Sequence, residues 1–234
     1  MNDSASIATR LAAIQERIAT AVARRGDGPA VALLGVSKRQ PLELIEEAAA
    51  AGQLDFGENY AQELRDKRSA TPDAQWRWHF IGALQRNKVK QVVGCALVHT
   101  IDRPELLPVF EQRAAAAGIR QAVLVQVNTA DEAGKAGTAP AQLGALLDRF
   151  ADLDHVHCRG LMSIPPQGTP EQTRPHFRDL RQLRDQHAAH TRPGVELHEL
   201  SMGMSADFEV AIEEGATIVR VGTALFGPRP APAA

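Results

Sequence analysis

The chain has 234 residues, 44% of them hydrophobic and 23% charged, which is the make-up of an ordinary soluble globular protein. A formal net charge of -2 removes the electrostatic case for nucleic acid or an anionic membrane as partner, and no stretch approaches the roughly 18 apolar residues needed to span a bilayer. Cys95 and Cys158 lie far apart with no CxxC or metal-ligand spacing, so they read as reduced, buried thiols of a cytoplasmic protein. Asp3 and the lack of a central apolar block argue against a signal peptide.

In chain order, Asp3 or Ser4 is placed to cap a first helix running to about Arg24. Its Ile7, Leu11, Ile14, Ile18 and Val22 form one apolar stripe, as on a helix lying outside a larger body. The apolar run at 31–36 has the character of a buried strand, and the helical pattern at 41–51 that follows is stopped by Gly52. Further strands are expected at 53–56, 76–81, 96–101, 121–127, 155–161, 196–200 and 216–221. Helical patterns fall between them at 61–68, around Asn87, Lys88 and Lys90, and at 102–117, 140–150, 170–190 and 206–214.

Strict alternation of strand and helix means parallel pairing with right-handed crossovers. With eight strand patterns, the expected fold is α/β: a single-domain (β/α)8 TIM barrel over residues 1–227 with an extra N-terminal helix. Residues 228–234 read as a Pro/Ala tail with nothing to bury. A doubly wound open sheet is the rival, but the first strand lacks the GxGxxG turn such sheets use for dinucleotides.

The C-terminal ends of barrel strands share one face, so they are read together. They carry Lys38, Asn59, Gly82, Asn128, Met162 with Ser163, the run from Ser201 through Met202, Gly203 and Met204 to Ser205, and then Gly222 with Thr223. Lysine is scarce, and Lys38 sits just past the first strand, where its amine could condense with an aldehyde. A solvated loop lysine is the alternative. Loops after the seventh and eighth strands commonly cradle phosphate with backbone N–H groups. Ser201, Gly203, Ser205, Gly222 and Thr223 are the small and hydroxyl-bearing types such a cradle needs, although each alone is also an ordinary turn residue. Arg220 lies two residues before Gly222 in an apolar strand and points either into the barrel or out toward a helix carboxylate. Facing a pyridine nitrogen, its donor-only guanidinium would keep that nitrogen unprotonated. Together these ends suggest a phosphorylated aldehyde held at both ends.

Several segments carry a resemblance: Val36-Ser37-Lys38, Asp55-Phe56-Gly57-Glu58-Asn59-Tyr60, Trp78-His79-Phe80-Ile81-Gly82, Leu84-Gln85 with Asn87-Lys88, Gln126-Val127-Asn128 and Gly160-Leu161-Met162. To these are added Leu200-Ser201-Met202-Gly203-Met204-Ser205-Ala206-Asp207 and Val219-Arg220-Val221-Gly222-Thr223. The chain resembles the pyridoxal-phosphate homeostasis protein family from its first strand to Gly227. The resemblance implies a fold-type III barrel, like the N-terminal domain of alanine racemase, with pyridoxal 5′-phosphate (PLP) bound as an internal aldimine on Lys38. It further implies that Asn59 borders the ring, that Arg220 faces the ring nitrogen, and that Ser201, Gly222 and Thr223 hold the phosphate, with Met202 also among the cofactor-binding residues. Ala83 departs from the family pattern, where a larger residue, often His, is expected.

The resemblance implies intracellular buffering, storage or delivery of PLP, with apo-enzymes as recipients; a monomer is expected because the N-terminal helix has one stripe to bury and no second apolar face is evident. A single-domain racemase or other fold-type III enzyme is the competing reading. A racemase on this fold needs a lysine and a tyrosine as paired acid/bases, the latter from a C-terminal β-domain, and the chain ends shortly after its eighth strand. The only tyrosine, Tyr60, opens a helix after the second strand, where packing is the alternative to catalysis. A Schiff-base aldolase acting on a sugar phosphate is a third reading. Lys88 and Lys90 are expected to be solvated, with a secondary PLP contact as their alternative role.

Overall fold

A computed structural model of the chain describes residues 5–130 and 136–228. Every expected strand is present: β1 (Ala32–Val36), β2 (Asp55–Glu58), β3 (Arg77–Phe80), β4 (Leu97–Ile101), β5 (Gln121–Gln126), β6 (Val156–Met162), β7 (Val195–Met204) and β8 (Ile218–Val221). Each pairs in parallel with the next. The ring closes where β1 lies beside β8, with Ala32 opposite Ile218 and Gly35 opposite Val221. It is therefore a closed barrel of eight parallel strands, not an open sheet.

Helices α1 (Ile7–Arg25), α2 (Leu42–Ala50), α3 (Ala61–Ala70), α4 (Val89–Val92), α5 (Leu107–Ala116), α6 (Leu143–Asp148), α7 (Pro170–Ala188), α8 (Phe208–Glu213) and α9 (Thr223–Phe226) complete the described chain. Short 3-10 turns at Pro104–Leu106 and Pro140–Gln142 lead into α5 and α6. Proline is tolerated in an opening turn because its missing N–H would have no intrahelical acceptor there. The first helix is capped by Ser6, whose side chain accepts from the Thr9 N–H; the expected caps Asp3 and Ser4 lie outside the described residues. From residue 229 onward the expected tail also lies outside them. No helix among the described residues is long and apolar enough to cross a membrane.

Period-two alternation sorts strand side chains onto two faces. The outward face carries Phe56, Trp78, Phe80, Val98, Leu200, Val219 and Val221, which pack against the helices in the main core. The inward face carries Leu34, Ile81, Leu97, Leu124, Met162 and Ile218, a smaller apolar cluster. Barrel interiors are usually filled with branched apolar side chains. Here that filling is interrupted by buried His79, His99, Ser201 and Arg220. The stripe of α1 buries Ile7, Leu11, Ile14 and Ile18, and the helix packs beside α2, α8 and α9. Arg10 Nε of α1 donates to Leu225 O at 2.7 Å, which satisfies a carbonyl at the end of α9.

Candidate functional site

The β1 ladder continues one residue past its strand, since the Ser37 N–H donates to Gly57 O at 3.1 Å. The chain then turns over Lys38 and Arg39, closed by Gln40 N donating to Ser37 O at 3.0 Å, with Arg39 at φ 58. Left-handed backbone at a non-glycine residue is strained, so something must hold it. The holding group is a clasp from α3. Lys67 Nζ donates to Ser37 O at 2.9 Å, to Glu58 Oε1 at 2.7 Å and to Glu63 Oε1 at 2.8 Å. Glu63 Oε1 also accepts from the Arg39 N–H at 2.6 Å, and Ser37 Oγ donates to Glu58 Oε1 at 2.6 Å. Lys38 is thereby presented from a turn fixed on both sides. Burial drives the Glu58 carboxyl above its usual range, to about 7, against the pull of the Lys67 ammonium and of hydrogen bonds from Lys67 and Ser37.

Beside β1, with which it pairs, β8 ends at Val221, Gly222 follows, and α9 begins at Thr223. Arg220 points inward and is almost fully buried. Its Nη1 donates to Ser201 O at 2.7 Å and to Ser201 Oγ at 2.8 Å, and its Nη2 donates to Ser163 O at 2.8 Å. Burial lowers it to about 10, so it remains a cation at neutral pH. The β7 loop beside it is tied by Asp207, whose Oδ1 accepts from Met204 N at 2.7 Å. Gly203 sits at φ 88, and a Cβ there would come within 2.6 Å of the Ala211 Cβ and 2.9 Å of the Phe208 Cα. Gly203→Ala is expected to cost about 2 kcal/mol or more, from left-handed strain plus overlap with α8. The midpoint of urea unfolding measures it.

At these strand ends lies a cavity of about 280 Å³, lined by Val36, Lys38, Asn59, Ile81, Ile164, Met204, Ser205, Ala206, Arg220, Gly222 and Thr223. Asn59 Oδ1 is buried without a partner. Gly82 sets the position of Asn59, because a Cβ at Gly82 would lie 1.9 Å from Asn59 O. A roomier hollow of about 500 Å³, lined by Arg65, Arg68 and Lys90, lies away from the strand ends. Among the described residues, no His/Cys/Asp/Glu group could hold a metal ion.

Of the residues singled out in the sequence, Lys38, Asn59, Arg220, Gly222 and Thr223 meet in one cavity, joined by Ser205. Ser201 and Met202 do not line it. They fall inside β7, which runs to Met204 and not to Leu200, because its backbone keeps pairing: Ser201 lies opposite Met162 of β6 and Ile218 of β8. Ser201 points inward beneath Arg220, and Met202 packs in the outer core. Gly203 underlies the β7 loop, while Asn128 and Ser163 sit at other strand ends. Tyr60 is 46% exposed and lies against Arg39, whose Nη2 donates to its hydroxyl at 3.1 Å. Lys88 and Ala83 line a neighbouring hollow of about 370 Å³ that shares Asn59. Sequence reading missed Glu58, Lys67, His79 and His99. For the histidines, the inward phase of Trp78-His79-Phe80 and Val98-His99-Thr100 was the available signal.

Fold and site define a class of protein: a parallel barrel of the alanine racemase N-terminal-domain family, whose profile matches residues 9–230. Within that class the chain belongs to the pyridoxal phosphate homeostasis protein family. It is 48% identical to the pyridoxal phosphate homeostasis protein of Aquifex aeolicus over 94% of this chain and 97% of that one. It is 40% identical to the protein of that name from Escherichia coli K12 over 98% of each chain. PipY of Synechococcus elongatus, solved with PLP bound, superposes with a TM-score of 0.83 at 38% identity, covering 94% of this chain and 100% of that one.

Proposed function

We propose that this chain binds PLP in the mouth cavity, with Lys38 as the covalent attachment point, and serves intracellular PLP homeostasis by holding and releasing the cofactor. The observation that carries the reading is convergence: one amine on the β1 turn lines a single cavity together with Arg220, Gly222 and Thr223 from the neighbouring β8 end. The residues fit the group. Val36, Ile81 and Ile164 offer apolar walls for a ring, and the orphaned Asn59 Oδ1 suits a ligand hydroxyl. Gly222 leaves the cradle open, since a Cβ there would already lie 3.3 Å from Val36 O. The first amides of α9 have no intrahelical acceptor and are suited, with the Thr223 and Ser205 hydroxyls, to an anionic phosphate.

When bound, the cofactor supplies an aldehyde carbon that a primary amine attacks with loss of one water. Lys38 provides that amine. Arg220 only donates and stays charged, so it holds a ring nitrogen in its unprotonated, acceptor form. This favours storage over carbanion chemistry. Tyr60 stacks on Arg39 outside the cavity, so it does not supply the second acid/base a racemase requires. On this reading residues 1–227 act as one monomeric binding unit in the cytoplasm, with apo PLP enzymes as recipients. Purified chain mixed with PLP and desalted is expected to retain about one equivalent, and to racemise common amino acids no faster than free PLP does. Failure to retain PLP, or turnover far above the free cofactor, contradicts the reading.

A further inference from the structure

A chain of hydrogen bonds runs through the barrel interior from the start of β2 to the mouth. Asp55 Oδ1 lies 3.1 Å from His79 Nε2, His79 Nδ1 lies 3.0 Å from His99 Nε2, and His99 Nδ1 lies 2.9 Å from Ser201 Oγ. Ser201 Oγ in turn accepts from Arg220 Nη1 at 2.8 Å. Its outer end is anchored by Arg77, whose Nε and Nη2 each lie 2.6 Å from a carboxylate oxygen of Asp55.

The two ends fix the direction of every link. Burial raises the Asp55 carboxyl, but hydrogen bonds from His79 and Arg77 outweigh it and bring it to about 2, so Asp55 is an acceptor only. In its neutral form His79 then donates through Nε2 and accepts at Nδ1. His99 is fully buried, and that burial, with the Arg220 guanidinium nearby, keeps it neutral, so it donates through Nε2 to His79 and accepts at Nδ1. Ser201 has one proton and commits it to His99. Its hydroxyl oxygen then accepts the Arg220 N–H. Arg220 is clamped at Nη1 by two acceptors from Ser201 and at Nη2 by Ser163 O, and the residue lines the cavity. A barrel core needs none of this for packing. Two imidazoles, a hydroxyl and a guanidinium take places that aliphatic side chains would fill at lower desolvation cost.

We infer that Asp55, His79, His99 and Ser201 are positioning residues that orient Arg220 toward the ring nitrogen of bound PLP, so that the far end of the barrel sets how the cofactor is held. This rests on the mouth cavity being the PLP site.

The test uses the full chain with PLP. Ser201→Ala and His99→Leu are expected to raise the apparent Kd for PLP about tenfold and to shift its visible absorption band, while borohydride still fixes PLP on Lys38. His99→Asn places an amide where Nδ1 was, keeps the reach to Ser201, and is expected to restore most of the affinity. In wild-type protein, nitrogen-15 NMR is expected to show the Nε2–H tautomer of both histidines, with both signals moving on PLP addition although neither side chain lines the cavity. That measurement stands even if the variants fold poorly. Wild-type retention of PLP with unmoved histidine signals, or with unchanged Kd and band in both Ser201→Ala and His99→Leu, overturns the positioning role alone. Wild-type protein that takes up no PLP overturns the binding reading with it.

Discussion

Lys38→Ala is expected to eliminate the visible absorption band that PLP develops on wild-type protein and to weaken retention at least a hundredfold, a loss of about 2.7 kcal/mol or more. Weak binding survives, because Arg220, Gly222 and Thr223 still face the cavity. The turn survives as well, since it is closed by Gln40 N to Ser37 O and by the Lys67 clasp. Wild-type protein is expected to gain about 2.7 kcal/mol of stability at PLP concentrations a hundredfold above Kd, a gain Lys38→Ala largely lacks at the same concentration. Lys38→Arg separates charge from nucleophilicity. It keeps a cation at the rim but offers no amine able to condense, so its absorption is expected to match Lys38→Ala. A Lys38→Arg protein with a wild-type band would place the attachment elsewhere.

Lys67→Met is expected to give the largest loss of stability away from the apolar core, about 3 kcal/mol near pH 8. Glu58 is fully buried and Lys67 is its counter-ion at 2.7 Å, so removing the lysine leaves a carboxylate with no opposite charge beside it. Glu58 holds its proton up to about pH 7 in the folded protein, against a value of 4.5 for an ordinary glutamate. A folded-state value raised in this way contributes stability that is fully present below the unfolded value and lost as pH rises through the folded one. The defect is therefore expected to shrink toward pH 5, where Glu58 is neutral. Glu58→Gln combined with Lys67→Met is expected to recover most of it at pH 8. Guanidinium unfolding of the single and double variants at both pH values is the check, and a pH-independent loss not relieved by Glu58→Gln would be inconsistent with the clasp. Because the same ammonium holds Ser37 O, PLP retention is expected to fall alongside stability.

The barrel was legible because its evidence is local: apolar runs, proline and glycine punctuation, and strict strand–helix order. Boundaries were less so where a residue serves two ends. β2 reads as 53–56 yet runs Asp55–Glu58, because Gly57 and Glu58 look like a helix opening. Both stay in the strand because the backbone goes on pairing with β3, Gly57 opposite His79 and Glu58 opposite Phe80. β7 was cut short at Leu200 for a similar reason, since serine and glycine suggest a turn while the backbone goes on pairing to Met204. In the site, Lys38, Asn59, Arg220, Gly222 and Thr223 were readable as strand ends. The histidine chain was not, because it joins residues 20 to 102 positions apart through buried polar contacts that no periodicity encodes, and of the clasp only Lys67–Glu63 has helical spacing while Ser37–Glu58 spans 21 positions.

The central claim is tested most directly by incubating purified protein with PLP, reducing with borohydride and mapping the labelled peptide. The label is expected on Lys38 alone, at about one per chain. Labelling spread over Lys88, Lys90 or Lys135 with Lys38 unmodified would contradict it.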